Sequence, residues 1–191
     1  MSKANFQRIR IEGMEAVTKE LNRIRAAQAP AINRAIDDTV KFGQKAAVDA
    51  IFNRYGFKSR SYIEQHLSVS VDPRNLKGVI TARYRASTLT RFARPLTRTG
   101  KNGRSRTDGH MISALRNQPT WFKGTFTVIG KNGNQIMFER TKGDNSWRKL
   151  KGQKAMYGPS VAGSFRKIRD DIEPPIIAYL QNKYGQYSTK S

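Results

Sequence analysis

From Met14 the apolar positions Met14, Val17, Leu21 and Ile24 recur at the three- and four-residue spacing of one helix face. Gln28 to Pro30 interrupts that pattern, and Pro30 suits the first turn of a second helix. The second helix reads Ile32, Ile36, Val40, Ala47, Ala50 and Ile51, and the Tyr55-Gly56 pair predicts its end, with Gly56 as the stop. Gly43, Ala46, Ala47 and Ala50 are small enough to let another helix approach closely. A shorter helix is predicted over Ser59 to His66. Residues 1–66 thus read as a helical arm.

The period then changes from helical to alternating. Leu67-Ser68-Val69-Ser70-Val71 alternates with period two, and Asp72-Pro73 ends it. Leu76 to Tyr84 reads as a second strand, with Val79, Thr81 and Arg83 on one face. Residues 85–109 show no clear period and read as a long basic loop, made flexible by Gly100, Asn102, Gly103 and Ser105. Trp121 to Ile129 alternates strongly, with Phe122, Gly124, Phe126 and Val128 set against Lys123, Thr125 and Thr127. Gly130 to Asn134 is a turn of the Asn-Gly kind, and Gln135 to Thr141 returns as the second strand of a hairpin. Trp121, Phe122, Phe126 and Phe138 are the predicted sheet core.

A final helix is predicted from Ser160, its N-cap, through Val161, Phe165, Ile168 and Ile172. Pro174-Pro175 should kink or break it before Ile176, Ile177 and Leu180 carry it to about Tyr184. Residues 186–191 read as a flexible polar tail. Helices, strands, hairpin, helix is an α+β order: N-terminal helices, a small antiparallel sheet with a β-hairpin, and a C-terminal helix packing on the sheet. The expectation is one domain over 1–191, with the arm at 1–66, the sheet at 67–159 and the closing helix at 160–185.

Charge changes this picture more than composition does. Lys and Arg number 36 against 14 acidic residues, a formal net charge of +22 in 191 residues. That balance points to polyanionic or acidic partners and says nothing of fold. The basic segment supplies the candidate contacts to DNA or to an acidic partner: Arg85, Arg91, Arg94, Arg98, Lys101, Arg104 and Arg106. Arginine suits bidentate pairing with phosphate and with carboxylate alike, so both partners remain open. Aromatic interleaving is thin, with only Tyr84 and Phe92, which disfavours base stacking on single strands.

Catalytic chemistry has little foothold. There is no cysteine, hence no disulfide and no thiolate metal site. His66 is placed late in a short helix and His110 in a loop after Gly109; neither has the spacing of a metal site, and both read as structural or solvated. Asp37-Asp38 and Asp170-Asp171 are adjacent on helices and do not face each other. Asp49, Asp72, Asp108 and Asp144 would form a nuclease-like metal cluster only by coincidence of folding. No nucleophile elbow is present, and Gly100 to Arg104 lacks the ending of a phosphate-binding P-loop. The expectation is a non-enzyme without metal or cofactor. With no apolar run long enough to span a bilayer and no apolar leader in Met1 to Ile11, it is also expected to be soluble and made in a cytoplasm.

Two stretches resemble a known family. The strand from Trp121 through a Lys-Asn-Gly turn to Phe138-Glu139-Arg140, and Met156-Tyr157-Gly158-Pro159-Ser160-Val161 opening a basic amphipathic helix, are similar to phage minor tail protein Z and related tail-completion or neck proteins. The resemblance implies a virion component of the tail or neck, found in the host cytoplasm during assembly. It would join the tail to the head connector around the DNA path. It implies a ring of roughly six or twelve copies, the symmetry of phage tails and connectors. The implied partners are a tail terminator, tail tube or head connector protein and genomic double-stranded DNA, with no membrane. Arg140, Trp147 and Tyr157 become the candidate interface residues. The alternative, resting on charge alone, is a free non-specific nucleic-acid-binding protein.

Overall fold

The long apolar stripe beginning at Ile32 folds as helix α1, Ala29–Arg54, in a computed structural model that describes residues 6–9, 28–99, 102–103, 105–139 and 155–189. The helix expected from Met14 to Ile24 lies outside the described residues. The span expected as one domain holds two compact units interleaved along the sequence. One takes Met1–Phe52, Ser59–Arg85 and Val161–Ser191; the other takes Asn53–Lys58 and Ala86–Ser160. The fold is α+β, with small antiparallel sheets, a β-hairpin and a C-terminal helix packing on a sheet.

In the first unit, α1 is followed by the short helix α2, Arg60–Glu64, whose cap residue Ser59 accepts a hydrogen bond from the Tyr62 amide at 3.4 Å. Strands β1 (Phe6–Ile9), β2 (Leu67–Asp72) and β3 (Lys77–Arg83) form an antiparallel sheet in the order β1-β3-β2. The register runs from Leu67 opposite Ala82 to Asp72 opposite Lys77. The Asp72 carboxylate closes the turn by accepting from the amides of Arg74 and Asn75 at 3.1 and 3.3 Å. On β3 the buried positions are Gly78, Ile80 and Ala82, while Val79, Thr81 and Arg83 share the less buried face.

Helix α3, Val161–Ser188, closes this unit. Its residue Leu180 joins Ile32, Ala35, Ile36 and Val40 of α1 in a buried cluster, against which Val69, Val71, Leu76, Tyr184 and Tyr187 pack. Gly43 marks the tightest approach. A methyl group there would stand 2.8 Å from Ile80 Cδ1 and 3.1 Å from Ile176 Cδ1, so three elements meet where α1 has no side chain. Beside it Phe42 stacks on Tyr179, with ring centroids 4.2 Å apart.

Two expectations about α3 are corrected. Pro174-Pro175 do not end the helix. An interior proline costs about 3 kcal/mol. Here both prolines are exposed, and the buried residues Ile176 and Leu180 beyond them each return about 1.5–3 kcal/mol on burial. Nor does the tail begin at residue 186, since the helix runs to Ser188. The Tyr187 hydroxyl donates to Asp38 at 2.5 Å, and Tyr184 donates to Gln28 at 3.1 Å, which ties the last turns to the start of α1.

The second unit is built from strands. The segment 85–109 is not a loop. It contains β4 (Ser87–Thr88), a 3₁₀ turn over Leu89–Phe92, β5 (Ala93–Thr99) and most of β6 (Ser105–Ile112). Its alternation is hidden because arginine and threonine occupy half of its strand positions and Pro95 sits in β5. That strand is an edge, in a sheet ordered β5-β6-β7, where a missing N–H is tolerated. The ladder shifts register between Pro95 and Thr97. The predicted strand from Trp121 to Ile129 is two strands, β7 (Thr120–Phe122) and β8 (Thr125–Ile129). Gly124, at φ 74°, turns the chain between them, so β7 pairs with β6 while β8 pairs with β9 (Gln135–Glu139).

That break also changes the core. Thr125 and Met137 are buried, Phe122, Phe126 and Phe138 are half-buried, and Trp121 is 49% exposed. Strand β10, Tyr157–Gly158, pairs with β4. Gly56 acts by close approach rather than as a left-handed helix stop: its amide donates to Ala114 O at 3.2 Å, and a methyl group on it would overlap the Ser113 carbonyl.

Substitution at Gly43 tests the packing of the first unit. Gly43→Leu is expected to destabilise by about 1–3 kcal/mol through overpacking. Gly43→Ala should be near neutral, because helix propensity gained offsets a small shift of two isoleucine tips. Urea denaturation of both variants checks this; equal stability of Gly43→Leu and the parent would contradict the three-way contact.

Candidate functional site

The basic residues of 85–109 do not form one mobile cluster. Arg94, Arg98 and Arg106 lie on the β5–β6 hairpin. Arg94 is exposed and stands opposite Met111 in the register, and the Cα of Arg98 stands opposite that of Arg106. Arg91 is half-buried in the 3₁₀ turn, where its carbonyl accepts from the Lys58 amide at 3.2 Å. Arg85 is exposed and belongs to the first unit. Lys101, Arg104, Arg140 and Trp147 lie outside the described residues. Tyr157, on β10 opposite Thr88, is 57% exposed, and Ile129 at the end of β8 is 71% exposed.

A cavity of about 540 Å³ opens within the second unit between β5–β6 and β8–β9. Lys58, Thr90, Asp108, His110, Thr125 and Gln135 supply most of its polar wall; Pro95 and Met137 are among its apolar members. His110 was expected in a loop. It sits in β6, 6% exposed, opposite Phe122 and Pro95. Its Nδ1 lies 2.9 Å from the Thr125 hydroxyl, and that hydroxyl donates its only proton to Phe122 O at 2.9 Å. Nδ1 must therefore be the donor to Thr125, which leaves Nε2 as the nitrogen that titrates.

Burial holds the His110 pKa below the ordinary histidine value; a hydrogen bond to the Thr125 backbone opposes this, and the nearby Lys58 charge adds to it. Lys58 donates to Thr90 O at 2.9 Å, and burial followed by the Arg94 charge lowers its pKa in turn. Sequence reading passed over Lys58, Thr90 and Thr125, which carry no motif and come together only when β5–β6 and β8–β9 fold. The two acidic pairs stay separate as sites. Asp37 pairs with Lys41 at 2.5 Å, while Asp38 takes Tyr187. Among the described residues no group of three or more histidines and acids is placed to hold a metal, and no helix is long and apolar enough to cross a membrane.

Comparison with protein-family models, with curated proteins and with solved structures finds no match to this chain.

The state of His110 makes stability depend on pH. A histidine whose folded pKa is depressed leaves the unfolded chain binding more protons in the window below roughly 6.5, so stability falls as pH falls through that window. Thermal melting between about pH 7.5 and 5.5 should show this loss. His110→Gln, which keeps a donor for Thr125, should flatten it; an unchanged slope in the variant would contradict the assignment.

Proposed function

We propose that the chain is a structural component of a tailed-phage virion, a tail-completion or neck protein that joins the tail to the head connector around the DNA path. The observation that carries this reading is the chain path through β8, the Gly130 to Asn134 turn and β9, and later through Tyr157–Gly158 into α3. Of the stretches on which the resemblance rests, Thr125–Glu139 folds as a hairpin and Tyr157–Gly158 leads into a helix start, while Trp121-Phe122 pairs in a different sheet. The exposed Tyr157 and Ile129 suit packing against neighbouring subunits. The β5–β6 hairpin gives the basic segment a framework for meeting DNA or an acidic neighbour. In a ring, many weak cationic contacts would sum around a lumen.

A free nucleic-acid-binding protein is the second reading, favoured by the net charge of +22 and the basic hairpin. The two differ in where the protein is found. As a virion component it should co-sediment with purified particles through high salt. Reversing charge at Arg94 and Arg98 to Glu should lower the yield of joined, infectious particles. Folding stability should change by no more than about 0.5 kcal/mol at the exposed Arg94, as is usual for surface positions. Protein absent from particles, together with salt-dependent duplex binding by the isolated chain, would favour the second reading. Undiminished particle yield from the double variant would remove the hairpin from the assembly role.

A further inference from the structure

We propose that the cavity of the second unit binds a phosphate group, with Lys58 as its cationic anchor and His110 as the group that takes up a proton when the anion binds. Like charges crowd the cavity. Lys58 lines it, and Arg94 on β5 is close enough to act on the Lys58 ammonium. Lys58 in turn acts on His110. Among the described residues of the wall, Asp108 is the one acid. Each cationic group is therefore held in a place that disfavours its charge, by burial and by a neighbour of the same sign. An anion among them reverses both effects.

The wall also has the right donors. The Lys58 ammonium spends one N–H on Thr90 O and keeps two. Thr127 adds a hydroxyl and Gln135 an amide. His110 adds a donor at Nε2 once it is protonated, because Nδ1 is already committed to Thr125. A tetrahedral oxyanion can accept from several of these at once, and a cavity of about 540 Å³ has room for it with its hydrating water or with an ester substituent. Binding should then be linked to proton uptake, tighter below neutrality than above it.

The chain contains two histidines, so imidazole NMR signals can be followed one by one. His66 donates from Nδ1 to Tyr62 O in the first unit and serves as the internal control. The full chain would be titrated with pH in inorganic phosphate and in chloride of matched ionic strength. The expected result is a saturable rise of the His110 midpoint by roughly half a pH unit or more, with His66 unmoved. Lys58→Gln keeps a donor for Thr90 and should abolish the rise. Dimethyl phosphate separates the sources: a rise with it too assigns the site to backbone diesters, and a rise with inorganic phosphate alone assigns it to free phosphate or a monoester. No rise at His110, an equal rise at both histidines, or a rise that survives Lys58→Gln would overturn the proposal. If Lys58→Gln fails to fold, the comparison of His110 with His66 in the parent chain decides alone.

Discussion

The first unit depends on a small residue at Gly43. There α1 comes close enough for the tips of Ile80 from β3 and Ile176 from α3 to fill the space a larger residue would take. From that point the rest of the packing extends along α1. Toward its start, Ile32, Ala35, Ile36 and Val40 meet Leu180, and the two tyrosines of the last turns of α3 reach Asp38 and Gln28. The double proline in α3 is tolerated because burial on both sides of it keeps the helix in place. A helix that would be marginal alone is held by tertiary contact, as helices in proteins generally are.

The second unit follows a different rule, in which polar groups satisfy one another beneath a basic surface. Thr125 links His110 to Phe122 O, Thr90 donates to Gln135 O, and Arg116 donates to the carbonyls of Tyr55 and Phe57. Buried polar groups are costly unless bonded. These bonds let a strand-rich unit with few large apolar side chains form around a polar-walled cavity. They also fix the histidine tautomer, which gives the cavity a defined proton acceptor.

Much of this was legible in the residues, and the exceptions have physical causes. The α1 stripe, the short helix near Ser59, the strand from Leu67 and the hairpin turn at Gly130 to Asn134 all follow from periodicity and turn chemistry. Strands β5 and β6 did not show because arginine, threonine and proline stand where apolar residues would reveal an alternation. Trp121 to Ile129 did alternate, yet Gly124 splits it, and the aromatic face that alternation marked as core is only half-buried. The cavity was invisible for a further reason: Lys58, Thr90, His110 and Thr125 are spread along six strands of sequence and meet only in the folded unit.

The excess of positive charge is the constraint on function. A chain carrying +22 cannot gather many copies of itself without anionic company, because self-repulsion opposes it. The proposed neck or tail-completion role would supply that company in DNA and in acidic neighbours. The most direct measurement is electron microscopy of the purified protein, alone and with phage particles. A ring located at the junction of head and tail is the predicted result. A persistent monomer that never joins particles would contradict the account.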